Sequence, residues 1–259
     1  MGAARNSGIE IASGQYIQFV DSDDYLEPNV LKGLVDKMDS DQLDVLRFNY
    51  QNVNEANEVF EPNKVSKPFV DYKDSVCDGL NFLTERLGFG CYAVQFMIRR
   101  GLLDDCFFKE GVLYEDAEWT PRMLINAKRV SSTELLVYNY FIRTGSITQN
   151  KDTKKRRKSI EDKMSLLDSL RGQMLVVPDT LWFRGFIAQL TVGIISEISM
   201  YLFEERRVYI KRIKAKDVFP LIPYHATALS KRKMAIANFS PMFLCWLLHL
   251  KNNGVQTFI

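Results

Sequence analysis

The sequence is poor in the residues that build metal fingers and disulfide frameworks. It has two histidines, His225 and His249, and four cysteines, Cys77, Cys91, Cys106 and Cys245, in 259 residues. No C-x-x-C spacing occurs and neither histidine stands at finger distance from a cysteine. Zinc modules and catalytic dithiols are therefore not expected, and the thiols read as reduced ones in a cytoplasmic protein. Met1 leads into small polar residues rather than into the basic and then apolar segment of a secretion leader. Long apolar runs are scarce too. The stretch 182–203 is interrupted by Arg184 and Glu197 and the stretch 241–250 is short, so no membrane-spanning helix is expected.

What is present supports a folded chain. Hydrophobic residues make up 46%, enough for a packed core, and the length allows one large domain or one domain with an appendage. The net charge of +2 hides a division: residues 1–150 carry 15 Lys and Arg against 23 Asp and Glu, while residues 151–259 carry 19 against 9. An acidic half followed by a basic one suggests that the second half faces phosphate-rich material.

The densest chemistry lies in residues 14–24, Gly-Gln-Tyr-Ile-Gln-Phe-Val-Asp-Ser-Asp-Asp. Tyr16 to Val20 alternate aromatic or β-branched residues with Gln, the pattern of a short strand after the Gly14 turn. Asp21, Asp23 and Asp24 follow at its C-terminal edge, where open α/β sheets bind ligands. Three carboxylates this close are tolerated best beside a cation or a set of donors, and a hard divalent metal shared with substrate phosphates is the natural partner. Capping of a helix that starts near Pro28 is the alternative the spacing leaves open. A second constellation, Phe107-Phe-Lys-Glu-Gly-Val-Leu-Tyr-Glu-Asp116, precedes a helix expected to run through Ala127. Asp116 and Glu118 in its first turn would also interact favourably with the helix dipole.

Around these motifs the pattern predicts helices over 2–14, 29–38 and 76–87, and strands over 43–50, 130–132 and 135–142. A polar loop is expected over 49–68. The run 151–158, Lys-Asp-Thr-Lys-Lys-Arg-Arg-Lys, reads as the linker between the halves, with a solvated helix start the commonest explanation of such a run. Helices are then expected near 160–173, 179–203, 204–215 and 241–250, with Lys and Arg clusters interleaved with aromatics. No nucleic-acid recognition motif accompanies the basic run, so nucleic acid is not expected as a partner.

Gly2-Ala-Ala-Arg-Asn-Ser-Gly8, Ala12-Ser-Gly14 and Phe19-Val-Asp-Ser-Asp-Asp24 together resemble the second half of the catalytic domain of family-2 glycosyltransferases of GT-A type. The resemblance makes Asp21-Ser22-Asp23 the D-x-D element. It implies that Asp23 ligates the Mn²⁺ or Mg²⁺ of a nucleotide-sugar diphosphate and that Asp21 faces the nucleoside or shares the metal. Arg5, Asn6 and Ser22 would lie within reach of the nucleotide, with a surface or intramolecular ion pair the alternative for Arg5. Phe108, Glu110, Gly111, Tyr114, Glu115 and Asp116 are similar to the family's F-x-E-G-x-x-Y-E-D motif, which implies Asp116 as general base and Glu115 as its neighbour. Tyr138, Tyr140, Arg143, Ser146 and Ile147 match the family's closing Y-x-Y-x-x-R-x-x-S-I, implying that Arg143 and Ser146 close on a leaving diphosphate.

The expected fold is thus a partial GT-A, Rossmann-like mixed sheet over residues 1–150, followed by a basic α-helical appendage over 151–259. Met1 already stands inside the Gly-Ala-Ala-Arg-Asn motif, so about two βα units of roughly 30 residues each are expected to be missing in front of it. The implied activity is metal-dependent, inverting transfer of a sugar from a nucleotide donor, UDP-linked by preference, to a glycan or lipid-linked glycan acceptor in surface polysaccharide synthesis. The implied place is the cytoplasm, at the inner face of the membrane if the basic half makes peripheral contact with anionic lipid. A catalytically inactive remnant, and a helical module that binds anionic membrane or nucleic acid through the basic half, are the rival classes.

Overall fold

The computed structural model describes residues 1–54, 59, 75–142, 153–178 and 180–254. The chain divides into two compact units, Met1–Asn150 and Lys151–Ile259.

In the first unit five strands form one mixed sheet: β1 (Tyr16–Gln18), β2 (Tyr25–Leu26), β3 (Val45–Val53), β4 (Phe96–Arg99) and β5 (Val130–Phe141). Their order is β1-β4-β3-β5-β2, with β3 and β5 parallel and the other neighbours antiparallel. As the middle strand, β3 buries Val45, Leu46, Arg47 and Phe48 in succession, because both of its faces are covered. Helix α2 (Val30–Ser40) packs Leu34 and Met38 into a core with Leu43, Leu46, Phe48, Met97, Val137 and Tyr138.

Two strands were expected across residues 130–142, yet β5 runs unbroken. Its register against β3 shifts between Arg47 and Tyr50, so an irregularity in the pairing takes up the break in the apolar pattern. The helix expected over 76–87 shrinks to α3 (Gly79–Asn81) and a π turn, Phe82–Arg86. Cys77 is held in a two-way backbone bridge with Val130, at 3.0 and 2.8 Å, so helix can begin only after it. Gly79 then docks so tightly that a Cβ there would stand 1.8 Å from the Leu124 carbonyl oxygen. That carbonyl belongs to α4 (Glu115–Asn126), the helix that carries the second motif. The remaining helix of this unit, α1 (Gly2–Ile11), buries Gly2, Arg5, Asn6 and Ile9.

The second unit is helical: α5 (Thr153–Met174), α6 (Leu181–Ile198), α7 (Phe203–Lys214), α8 (Ala228–Phe239) and α9 (Pro241–Asn252). Helix α6 is apolar on nearly every side and packs against each of the other four, the behaviour of a core helix. Contrary to the sequence expectation it is long and apolar enough to cross a membrane, with a mean hydropathy of 1.2 over 18 residues. Yet 56% of it is buried within the fold. Residues 153–158 of the basic run form the first turns of α5, the helix start that the run's composition suggested. Helix α8 was not expected; Thr227 caps it, its hydroxyl accepting from the Ser230 N–H at 3.2 Å. The bidentate Arg212–Glu161 pair, at 2.7 and 2.6 Å, ties α7 to α5.

Candidate functional site

Contacts from Gly2, Arg5 and Asn6 fasten α1 to the second motif. The Asn6 side-chain amide donates to the Phe108 carbonyl and to Glu110 Oε1, both at 3.0 Å, while its oxygen accepts from the Phe108 N–H at 2.8 Å. Asn6 thereby treats Phe108 as a strand neighbour would. Gly2 lies against Lys109, where a Cβ would come within 2.5 Å of the carbonyl oxygen. Phe108 stacks on Trp119 at 4.2 Å between ring centroids, and Phe19 meets both rings edge-on at 5.4 and 5.9 Å. Phe19 stands two residues before Asp21 of the acidic turn and Trp119 belongs to α4, so one aromatic cluster fixes both motifs.

Arg5 joins the motifs electrostatically. Its Nη1 donates to Glu115 Oε1 and its Nη2 to Asp21 Oδ1, each at 3.0 Å, and its guanidinium lies over the Phe108 ring at 5.3 Å. The Arg5 and Glu115 side chains are only 9% and 6% exposed and that of Asp21 23%. A fork of fixed donors suits a cation that must meet two carboxylates at once.

The acidic turn closes through a bond from the Asp24 N–H to the Asp21 carbonyl at 3.0 Å. Tyr138, buried on β5, accepts from the Asp21 N–H at 3.1 Å and donates to Asp24 Oδ2 at 2.6 Å. Asp24 Oδ1 accepts from the Phe141 N–H at 2.8 Å. Burial pushes the Asp24 carboxyl above the ordinary range, helped by the Asp23 and Asp21 charges and opposed by those two hydrogen bonds. Ser22 and Asp23 stay exposed at the tip. Helix α2 takes Asn29 as its N-cap, in the left-handed region at φ 62°, with no side-chain capping bond, so the acidic turn is not its cap.

At the second motif, Tyr114 is the N-cap of α4, also left-handed at φ 63° and without a side-chain capping bond. Glu115 is buried, and Asp116 sits beside it in the first turn. Burial pushes the Asp116 carboxyl up to about 6, and the Glu115 charge adds to the shift; the Arg5 charge and the Ala117 N–H oppose it. The Asp116 charge also helps to raise the Cys91 thiol and the Tyr92 phenol, each raised chiefly by burial, so the 91–92 segment lies on this side of the site. Arg47 on β3 is buried next to it, donating to the Leu87 carbonyl at 3.4 Å and to Gln95 Oε1 at 3.3 Å.

The structure therefore brings Arg5, Asp21, Glu115 and Asp116 together and puts Asn6 in a clamp. Of the alternatives for Arg5, the intramolecular ion pair is the one formed. Arg143 and Ser146 lie outside the described residues. Tyr138 was noted only as part of a family pattern; its tie to the acidic turn spans 117 and 114 residues and has no local signal. Among the described residues no group of three or more His, Cys, Asp or Glu side chains is placed to hold a metal alone. Asp24 has both oxygens engaged, which leaves Asp23 and Asp21 as the carboxylates that could hold one. One or two carboxylates fit Mg²⁺-like cations that keep phosphate and water oxygens as their other ligands.

Residues 1–107 match the model of the family described as Glycosyl transferase family 2. Over these residues, less than half of the chain, the sequence is similar to that family. It is 28% identical over 153 residues to the uncharacterized glycosyltransferase YibD of Escherichia coli K12, covering 56% of this chain and 43% of YibD. It is also 28% identical over 153 residues to glycosyltransferase GlyA of Streptococcus pneumoniae serotype 4, covering 58% of this chain and 22% of GlyA. The chain thus spans less than half the length of these curated relatives. In fold it is similar to residues 1–349 of TarS from S. aureus, solved in complex with UDP-GlcNAc: TM-score 0.67, 19% identity, 98% of this chain and 72% of that one. The chain accordingly shares a GT-A-type mixed sheet followed by helices.

Proposed function

We propose that this chain is a family-2 glycosyltransferase that transfers a sugar, with inversion, from a UDP-linked donor to a glycan or lipid-linked glycan acceptor in surface polysaccharide synthesis. The observation that carries the reading is the double ion pair of Arg5, which ties Asp21 of the D-x-D turn to Glu115 beside Asp116. The presence of UDP-GlcNAc in the TarS complex supports the choice of donor class. In this reading the first unit is catalytic and the second a basic appendage that meets anionic membrane from the cytoplasmic side.

The acceptor oxygen attacks the anomeric carbon as the bond to the diphosphate breaks, and Asp116 takes the hydroxyl proton. A carboxyl raised to about 6 is a stronger base than an ordinary aspartate and is still ionised near neutrality, which suits that task. Asp23, assisted by Asp21, would hold the Mn²⁺ or Mg²⁺ that offsets the charge of the diphosphate. Ser22 at the tip, with Arg143 and Ser146, is proposed to contact the nucleotide sugar. Arg5 and Asn6 act beside them by holding the two motifs in place.

The test compares Asp116→Asn with Asp23→Ala in a parent protein shown to turn over. Asp116→Asn is expected to keep metal-dependent UDP affinity while turnover falls about 10²-fold or more. Asp23→Ala is expected to lose that affinity. Retained turnover in Asp116→Asn would remove Asp116 as the base, and unchanged metal-dependent affinity in Asp23→Ala would remove Asp23 as the ligand.

A further inference from the structure

We propose that the α8–α9 pair is the face by which the basic unit docks on an anionic lipid surface, with Phe239, Phe243 and Trp246 entering the interface. This sharpens the peripheral-membrane part of the reading above and is independent of catalysis.

Two observations meet there. The first is an apolar stripe on the outer side of the pair. Helix α8 buries Met234 and Ala237 and α9 buries Pro241, Leu244, Cys245 and Leu248, both packing on α6. The opposite side leaves Phe239 at 87% exposure, Leu229 and Trp246 at 47% and Phe243 at 44%, with the Phe243 and Trp246 rings stacked at 5.8 Å. Phe243 and Trp246, three residues apart, share one side of α9, and Phe239 ends α8 just before the extended Ser240 that joins the two helices. Large rings so exposed are costly in water and suited to a headgroup boundary.

The second is charge of one sign. No Asp or Glu occurs after Asp217, yet Lys231, Arg232, Lys233 and Lys251 follow. Elsewhere in the unit carboxylates neutralise cations: Arg157 pairs with Glu205, Lys158 with Asp162, Arg212 with Glu161 and Lys216 with Asp168. On the pair itself Lys233 and Lys251 lie close enough to repel, the Lys251 charge adding to burial in lowering the Lys233 ammonium. Aromatics for the acyl boundary beside cations for phosphate headgroups are what an interfacial surface needs, whereas a self-association face would have to bring like charges together.

The experiment is co-sedimentation of the full chain with vesicles of phosphatidylcholine, with and without phosphatidylglycerol. Binding is expected only to the anionic vesicles and should weaken steeply with salt. Lys231→Glu with Arg232→Glu should lower partitioning by on the order of tenfold or more, and Phe239→Ser with Trp246→Ser by a similar factor. A charge change of the same size on α7, Lys211→Glu with Lys214→Glu, should do much less. All six positions are exposed, so circular dichroism should show every variant folded as the parent. Equal losses from the α7 and α8 pairs, with the aromatic variant neutral, would overturn this face while leaving a general attraction to lipid. No binding by the parent would overturn both. Dimerisation without lipid, removed by Phe239→Ser, would assign the face to a second copy instead. None of these outcomes depends on sugar transfer.

Discussion

The Asp21–Asp24 turn keeps Ser22 and Asp23 in solvent, whereas at the start of α4 Glu115 is buried and Asp116 is raised by its burial. The two motifs share one arginine, but different amounts of water suit them to different work. An exposed carboxylate stays charged and can trade water for a cation. A desolvated one beside a second carboxylate holds a proton more tightly and can accept one from a poor nucleophile. Environment, more than residue type, divides the roles.

Removing the shared cation should disturb the comparison most. Arg5→Met leaves Asp21 and Glu115 without their partner, and breaking a buried pair costs about 3–5 kcal/mol; the partial exposure of Asp21 puts the expected loss toward the lower end. Urea unfolding would measure it, and an unmoved midpoint would mean that the two motifs are held independently. Arg5→Lys, which restores charge without the fork, should fall between.

Tyr138→Phe acts on the exposed motif alone. It takes a donor from Asp24 and an acceptor from the Asp21 N–H, a loss of about 1–3 kcal/mol. Metal-dependent UDP affinity should weaken with turnover at saturation nearly kept. An equal fall in both would show that the turn also serves the chemical step.

The smallest effect is the pH dependence, which isolates the buried motif. With Asp116 at about 6, kcat/KM should fall as pH drops through 6, not near 4, and Asp116→Asn should abolish that limb. Stability should run the other way. A folded-state carboxyl raised above its ordinary 3.8 contributes stability that is complete below about 4 and lost as pH rises through 6. A parent limb near 4 would place Asp116 in water.

Local signals were legible in the sequence. Strand β1, helix α2 and helix α9 lie within a few residues of where alternation, apolar spacing and a proline at the helix start put them. Helix α8 escaped because it buries few residues, Met234 and Ala237, behind the Lys231-Arg-Lys233 run. The loss of helix before Gly79 came from a bridge to Val130, and the continuity of β5 from its pairing with β3, neither of which is written in the segment itself. The motif residues could be named from resemblance, but which of them touch could not. Arg5 finds Glu115 across 110 residues and Asn6 finds Phe108 across 102, and nothing near either residue announces the partner.

Those two separations also bear on the order in which the protein takes shape. A contact spanning most of the first unit repays its loop-closure entropy only after the strands between have drawn its ends together. During synthesis from the N-terminus, α1 would emerge more than a hundred residues before its partners. Until α4 leaves the ribosome, Arg5 and Asn6 must remain hydrated or make temporary contacts. The site would thus be among the last parts of the unit to become native, with the Arg5–Glu115 pair closing it.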